Sequence, residues 1–226
     1  ARSDYDHAAE ALKDVTGGGA DAAYLRTRLA LWTGRYADAV SEARKGAAAG
    51  AEAKRKLVPW QAEALVRQGK TDEAIKLLEP LESDDKAYRA HLMLGELLVM
   101  TGKRREARAP LMNIIRAYND DRISDDPTEL TFVGQAAYLL RAYQDANDAF
   151  NEAEKNGGDR RVETLMARAQ LFLDKYNPGR AGDVVKEALA MAPNDPRLLT
   201  LAAYVKLEQT MDFAAAEELI EKALAV

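Results

Sequence analysis

Between His91 and Met100 the apolar residues Leu92, Met93, Leu94, Leu97, Leu98, Val99 and Met100 recur at helical spacing, the pattern of an amphipathic helix. Gly95 stands in its middle, although a glycine inside a helix costs about 1 kcal/mol relative to alanine. The next segment, "GKRREA", ends at Ala107, and related segments recur along the chain. "SDYDHA" ends at Ala8, "GRYADA" at Ala39, "GKTDEA" at Ala74, "RAYQDA" at Ala146, "NPGRA" at Ala181 and "MDFAAA" at Ala216. Successive alanines lie 31, 35, 33, 39, 35 and 35 residues apart, a period near 34. Four positions after each comes a large apolar residue in most copies (Leu12, Leu78, Leu111, Phe150, Val185, Ile220). Three further on comes Val15, Leu81, Ile114, Ala153, Ala188 or Ala223. Steps of four and three define one stripe of a helix, and a glycine or polar turn precedes each alanine, so the unit is helix–turn–helix.

This unit resembles the tetratricopeptide repeat. The match is best at His91, Leu94, Gly95, Leu98, Gly102 and Ala107. It continues at Leu130, Val133, Gly134, Ala137, Tyr143, Ala146 and Phe150, then at Leu165, Ala169, Phe172, Ala181, Ala188 and Pro193. Arg26 and Gln61 replace the usual leucine, and Arg141 replaces the turn glycine. The resemblance implies an all-α solenoid, a right-handed superhelix of about six helix pairs plus one N-terminal helix. The boundaries are 3–15 for the single helix and approximately 20–48, 52–82, 85–119, 127–156, 160–191 and 195–225 for the pairs, one solenoid over 1–226. Gly95, Gly134, Ala62 and Ala169 then fall where the two helices of a pair cross, facing Ala107, Ala146, Ala74 and Ala181. Close approach there recovers dispersion contacts that offset the lost helix propensity.

Irregularities qualify the scheme. Pro110 and Pro80 lie inside or near the end of second helices, where bends are expected, and Pro59 falls in the first turn of its helix or at a kink after an early start at Ala51. Asp125 before Pro127 marks a helix start, and "NDP" between Pro193 and Pro196 ends one pair and begins the next. "TGGGA" from Thr16 and "NGGDR" around Gly157 read as loops. The insertion "NDDRISDD" (119–126) has four aspartates, but lacks the turn glycine and closing glutamate of a calcium loop, so it reads as a solvated loop.

Lys+Arg total 32 against Asp+Glu 37, a formal charge of −5 with both signs interspersed, which speaks against nucleic-acid binding despite the basic runs 54–56 and 103–105 and the pair Arg160–Arg161. There is no cysteine and no apolar run long enough for a membrane span. The two histidines, His7 and His91, sit on different repeats, and His91 occupies an apolar-facing slot typical of a packed core residue. No nucleophile elbow, metal-binding His pair or phosphate-cradling loop is present, so no catalytic residue, metal or cofactor is read and the chain is taken as a non-enzyme.

The family resemblance implies a protein or peptide partner held in the concave groove lined by first helices. The residues placed there are Tyr24, Arg28, Glu63, Arg67, Arg89, Leu92, Glu96, Met100, Thr131, Gln135, Met166 and Gln170. The lysine–asparagine–arginine clamp of chaperone-binding relatives is absent as a set, since its places hold Leu92 and Glu96, Pro59 and Glu63, and Thr131 and Gln135. The first helix resembles the second half of a repeat, and Leu219, Ile220, Leu224 and Val226 leave an apolar edge, so a piece of a longer protein is expected, or self-association through the ends. The alternative is the recognition arm of a larger enzyme. Alanine and arginine richness points to a bacterium, without choosing cytoplasm or periplasm.

Overall fold

The computed structural model describes residues 2–13, 15, 18–123, 125–157 and 161–225. Among them are thirteen α-helices and no strand. They are α1 (Arg2–Lys13), α2 (Gly19–Trp32), α3 (Tyr36–Ala47), α4 (Ala51–Arg67), α5 (Thr71–Leu78), α6 (Tyr88–Met100), α7 (Arg104–Asn119), α8 (Pro127–Leu139), α9 (Tyr143–Asn156), α10 (Arg161–Asp174), α11 (Pro178–Met191), α12 (Pro196–Thr210) and α13 (Phe213–Leu224). One single helix and six pairs make an all-α solenoid fold. The chain divides into two compact units, Ala1–Ile114 and Ile115–Val226. Within each, a helix packs on the next in sequence and on the next but one. In the first unit α2 meets α3 and α4, and α4 meets α6; in the second α8 meets α9 and α10, and α10 meets α11 and α12. That neighbour pattern is what stacked helix pairs require.

The repeated alanines explain the packing. Ala39, Ala74, Ala107, Ala146, Ala181 and Ala216 are all buried, as are Leu78, Leu111, Phe150 and Val185 four positions on. Ala8, their counterpart in α1, is exposed, so the period weakens at that helix. At the crossing, the atoms nearest a Cβ built on Gly95 belong to Leu111. A Cβ on Gly95 would strike the isobutyl group of Leu111, with Cγ at 2.6 Å, and one on Gly134 would strike the Phe150 ring, with Cδ1 at 2.5 Å. The bulky residue of the stripe therefore fills the slot left by the missing side chain, and the alanine one turn earlier allows the approach. Gly46, which the pattern did not single out, behaves likewise: a Cβ there would meet Ala23 and Leu57 Cδ1, the latter at 2.5 Å.

Five of the turns within pairs share one hydrogen bond. The N–H groups of Arg35, Lys70, Lys103, Ala142 and Asn177 donate to the carbonyls of Ala30, Leu65, Leu98, Ala137 and Phe172, five residues back. This is the Schellman closure of a helix end, and it needs a left-handed residue just before the donor. In the first unit Gly34, Gly69 and Gly102 supply it; in the second the same position holds Arg141 (φ 67°) and Tyr176 (φ 54°), and Met211 (φ 53°) takes it before α13.

The prolines resolve as follows. Pro59 is internal to α4, two turns in, so α4 begins at Ala51 and passes through it. Pro110 is accommodated inside α7, and at Pro80 the α-helix α5 gives way to a 3-10 turn over Glu79–Leu81. The cap of α8 is Asp126 rather than Asp125: its Oδ1 accepts from the N–H groups of Thr128 and Glu129 at 2.8 and 3.0 Å. Ile123 in the preceding insertion is buried, so that loop is anchored rather than wholly solvated. Thr16, Gly17, the stretch 158–160 and Val226 lie outside the described residues.

Candidate functional site

Within α2, Tyr24, Arg28 and Trp32 are spaced by four and so share one face. The Arg28 guanidinium lies 4.3 Å from the Trp32 ring centre and 5.3 Å from those of Tyr24 and Trp60, the last contributed by α4. Arg28 Nη1 donates to the Tyr24 hydroxyl at 3.0 Å, and Tyr24 and Trp60 meet edge to face at 5.8 Å. Arg89 of α6 covers Trp60 at 3.8 Å, and Lys56 of α4 lies 4.7 Å from the Tyr24 ring centre while pairing with Asp21. Glu63 stands between Arg67 at 3.6 Å and Arg89 at 3.9 Å. Neighbouring first helices thus carry a cluster of rings and cations, in which each cation–ring contact contributes about 0.5–2 kcal/mol.

Burial governs the electrostatics here. Loss of solvent pushes the Glu96 carboxyl up to about 7, against the attraction of Arg89 and with the repulsion of Glu63. The same loss depresses the Arg89 guanidinium below its ordinary range, opposed chiefly by Glu63. Arg28 Nε is buried with no hydrogen-bond partner. His91 is a core residue whose Nε2 is 3.1 Å from the Leu81 carbonyl, and burial lowers its pKa.

Six of the residues anticipated on the groove, Tyr24, Arg28, Glu63, Arg67, Arg89 and Glu96, belong to this cluster. Met100 stands apart at the end of α6, 73% exposed. Leu92 is only 6% exposed and packs into the core, so it presents almost no surface. Trp32, Trp60 and Lys56 escaped the sequence reading; their four-residue spacing with Arg28 and with one another was the available signal.

In the second unit, Met166 and Gln170 of α10 line an open hollow of about 360 Å³ with Arg197, Thr200, Leu201 and Tyr204 of α12. Gln170 donates to Asp174 at 2.9 Å, and the Tyr138 hydroxyl donates to the same carboxylate. Gln135 is half-buried on α8. Thr131 is 5% exposed, its hydroxyl 2.7 Å from that of Thr164, so it joins α8 to α10 instead of facing outward. Among the described residues no group of three or more His, Asp or Glu is placed to hold a metal, and no helix is long and apolar enough to cross a membrane.

A family model described as tetratricopeptide repeat matches residues 63–124, the two best-formed turns and the Gly95 crossing included. Over those residues the chain is tetratricopeptide-repeat sequence. No curated protein matches it. Among solved structures it is similar to a chain of the APC/C hetero-tetramer Cut9–Hcn1, with 17% identity and a TM-score of 0.58 over 99% of this chain and 43% of that one. It is similar also to Pseudomonas aeruginosa PilF (17% identity, TM-score 0.51, 77% of each chain). A third is BtubC from P. vanneervenii (17% identity, TM-score 0.52, 85% of this chain and 88% of that). The chain thus spans less than half the length of the Cut9–Hcn1 chain. At these identities the likeness is one of fold.

Proposed function

We propose that this tetratricopeptide-repeat chain is a non-catalytic interaction scaffold whose first-helix faces hold an extended segment of a partner protein. The observation that carries the reading is the surface built by Tyr24, Arg28, Trp32, Trp60 and Arg89 on α2, α4 and α6. Aromatic and arginine side chains together dominate the energetics of protein interfaces, because they bury a large area at low entropic cost while retaining a polar edge. Trp60 also packs against the core cluster of Ala30, Leu31, Ala39 and Ala64, whereas Trp32 is 53% exposed. Charged residues of both signs surround the rings, which favours a segment with polar as well as apolar side chains.

The test is a peptide-display selection against the immobilised protein, with two charge-reversed variants. One changes Lys56→Glu and Arg67→Glu, both exposed on the first-helix face; the other changes Glu73→Lys and Asp38→Lys, exposed on second helices. Selected peptides should lose about tenfold or more in affinity for the first variant and keep their affinity for the second. The reverse order places the binding surface on the second helices and sinks the reading.

A further inference from the structure

We propose that Arg28 is an anchor for a carboxylate side chain of the bound segment, so that the first unit selects partners carrying an aspartate or glutamate next to an apolar residue. This rests on the reading that the first-helix face binds a partner. Four cations, Arg28, Lys56, Arg67 and Arg89, lie on this face, and the carboxylates paired with them are Asp21 and Glu63. Lys56 takes Asp21, and Glu63 is shared between Arg67 and Arg89. Among the described residues Arg28 has no carboxylate, and its one hydrogen bond goes to a neutral phenol.

Its situation is unlike that of a solvated surface arginine. Three rings hold the guanidinium, and its Nε donor is buried without an acceptor. A buried donor left unpaired is costly, and a cation deprived of water gains more than a solvated one from an incoming anion. Beyond the Nη1 bond to Tyr24 the guanidinium has further donors in a planar fork, the geometry that matches a carboxylate. The rings of Trp32, 53% exposed, and Trp60 offer apolar contact beside the charge. The face is positive within a chain of net charge −5, so the complementarity is local and not a general attraction for anions.

The chain has two tryptophans, Trp32 and Trp60, and both touch Arg28, so tryptophan fluorescence and the two indole N–H resonances report on this site alone. The full chain is titrated with three synthetic peptides of one sequence, alternating leucine and serine about a central glutamate, glutamine or phosphoserine. The glutamate peptide should shift both indole signals at micromolar to millimolar concentration and bind roughly tenfold tighter than the glutamine peptide, with added salt narrowing the gap. Arg28→Gln should abolish the difference; Arg28→Lys, which keeps the charge but not the fork, should retain only part of it.

Equal shifts with glutamate and glutamine remove the anchor and leave the binding face intact. A stronger response to phosphoserine overturns the assignment to a carboxylate. Silence of both indoles with every peptide removes the anchor, and together with display-selected binders that ignore Lys56→Glu and Arg67→Glu it removes the face as well. The comparison between peptides needs no variant, so it stands even where a substitution at Arg28 unfolds the protein.

Discussion

Replacing Gly95 by alanine tests the crossing that shapes each helix pair. In a solvated helix this change stabilises by about 1 kcal/mol, because alanine loses less backbone freedom on folding. Here the new methyl would lie 2.6 Å from Leu111 Cγ, where carbon atoms in contact sit about 3.5–4.0 Å apart. Leu111 cannot yield outward, since it is itself buried in the pair. Overpacking of this kind costs about 1–3 kcal/mol, which outweighs the propensity gain and leaves a net loss of about 1 kcal/mol, 2 at most. The argument has a sharper form in the background Leu111→Ala. That change alone costs about 2–5 kcal/mol, but it empties the slot, so Gly95→Ala then stabilises by about 1 kcal/mol. A change of sign within one double-mutant cycle, with a coupling of about 2 kcal/mol, is the expected signature. Urea denaturation followed by tryptophan fluorescence reads it directly, because Trp32 and Trp60 lie with Gly95 in the unit Ala1–Ile114. Gly179→Ala in α11, whose Cβ would approach nothing nearer than 3.8 Å, is the control, followed by circular dichroism. If Gly95→Ala stabilises as the control does, and its effect is the same with and without Leu111, close packing at the crossing is refuted.

Two further outcomes follow from local features. Tyr176 holds the left-handed turn position that glycine fills in the first unit, and it is 93% exposed, so Tyr176→Gly should stabilise by about 0.5–1 kcal/mol; a lower denaturation midpoint for the variant counts against the strain. Because the folded Glu96 titrates near 7, above its ordinary 4.5, the native state keeps a proton that the unfolded chain has released. Stability therefore falls as pH rises between those values, and Glu96→Gln should flatten the slope and stabilise by about 1–2 kcal/mol at about pH 8, after allowance for Arg89 and partial solvent access. A slope equal to that of the parent in urea titrations at about pH 5 and about pH 8 refutes it.

The period was readable because the same contact recurs: each reference alanine from Ala39 to Ala216 is buried, and so is the bulky residue four positions later at Leu78, Leu111, Phe150 and Val185, whereas Ile220 in the last pair is exposed. Gly46 was legible too, seven positions after Ala39, yet a glycine in a polar stretch carries no apolar signal, and only coordinates show Ala23 and Leu57 around it. Spacing along two helices gives the faces that meet but not their axial stagger, so it did not show that Leu111 comes nearest to Gly95. Neighbouring first helices pack on one another, α4 on α6 and α10 on α8, and cover one flank of what a lone helix would expose, as where Thr131 meets Thr164 of α10. The ring–cation cluster was half visible: Tyr24 and Arg28 stood out by position, whereas Trp32 and Trp60 did not, since side-chain direction at a helix edge is not written in the period.

Counting back from each reference alanine by 15, 11 and 7 residues isolates the positions that the repeat leaves undetermined. They read Tyr24–Arg28–Trp32, then Pro59–Glu63–Arg67, Leu92–Glu96–Met100, Thr131–Gln135–Leu139, Met166–Gln170–Asp174 and Leu201–Val205–Gln209. Residues at the crossing vary little because a Cβ more or less decides whether two helices close. The position 15 back is buried at Pro59, Leu92 and Thr131, but the position 11 back is freer, and its chemistry changes from a cation at Arg28 to carboxylates and then to neutral amides. Charge at the central position is thus confined to the first unit, at Arg28, Glu63 and Glu96, and the second unit offers Gln135, Gln170 and Val205 there. A partner that recognises the first unit through a charged group therefore finds no equivalent in the second, although both are built from the same helix pair, so any selectivity resides in the departures from the repeat and not in the repeat itself.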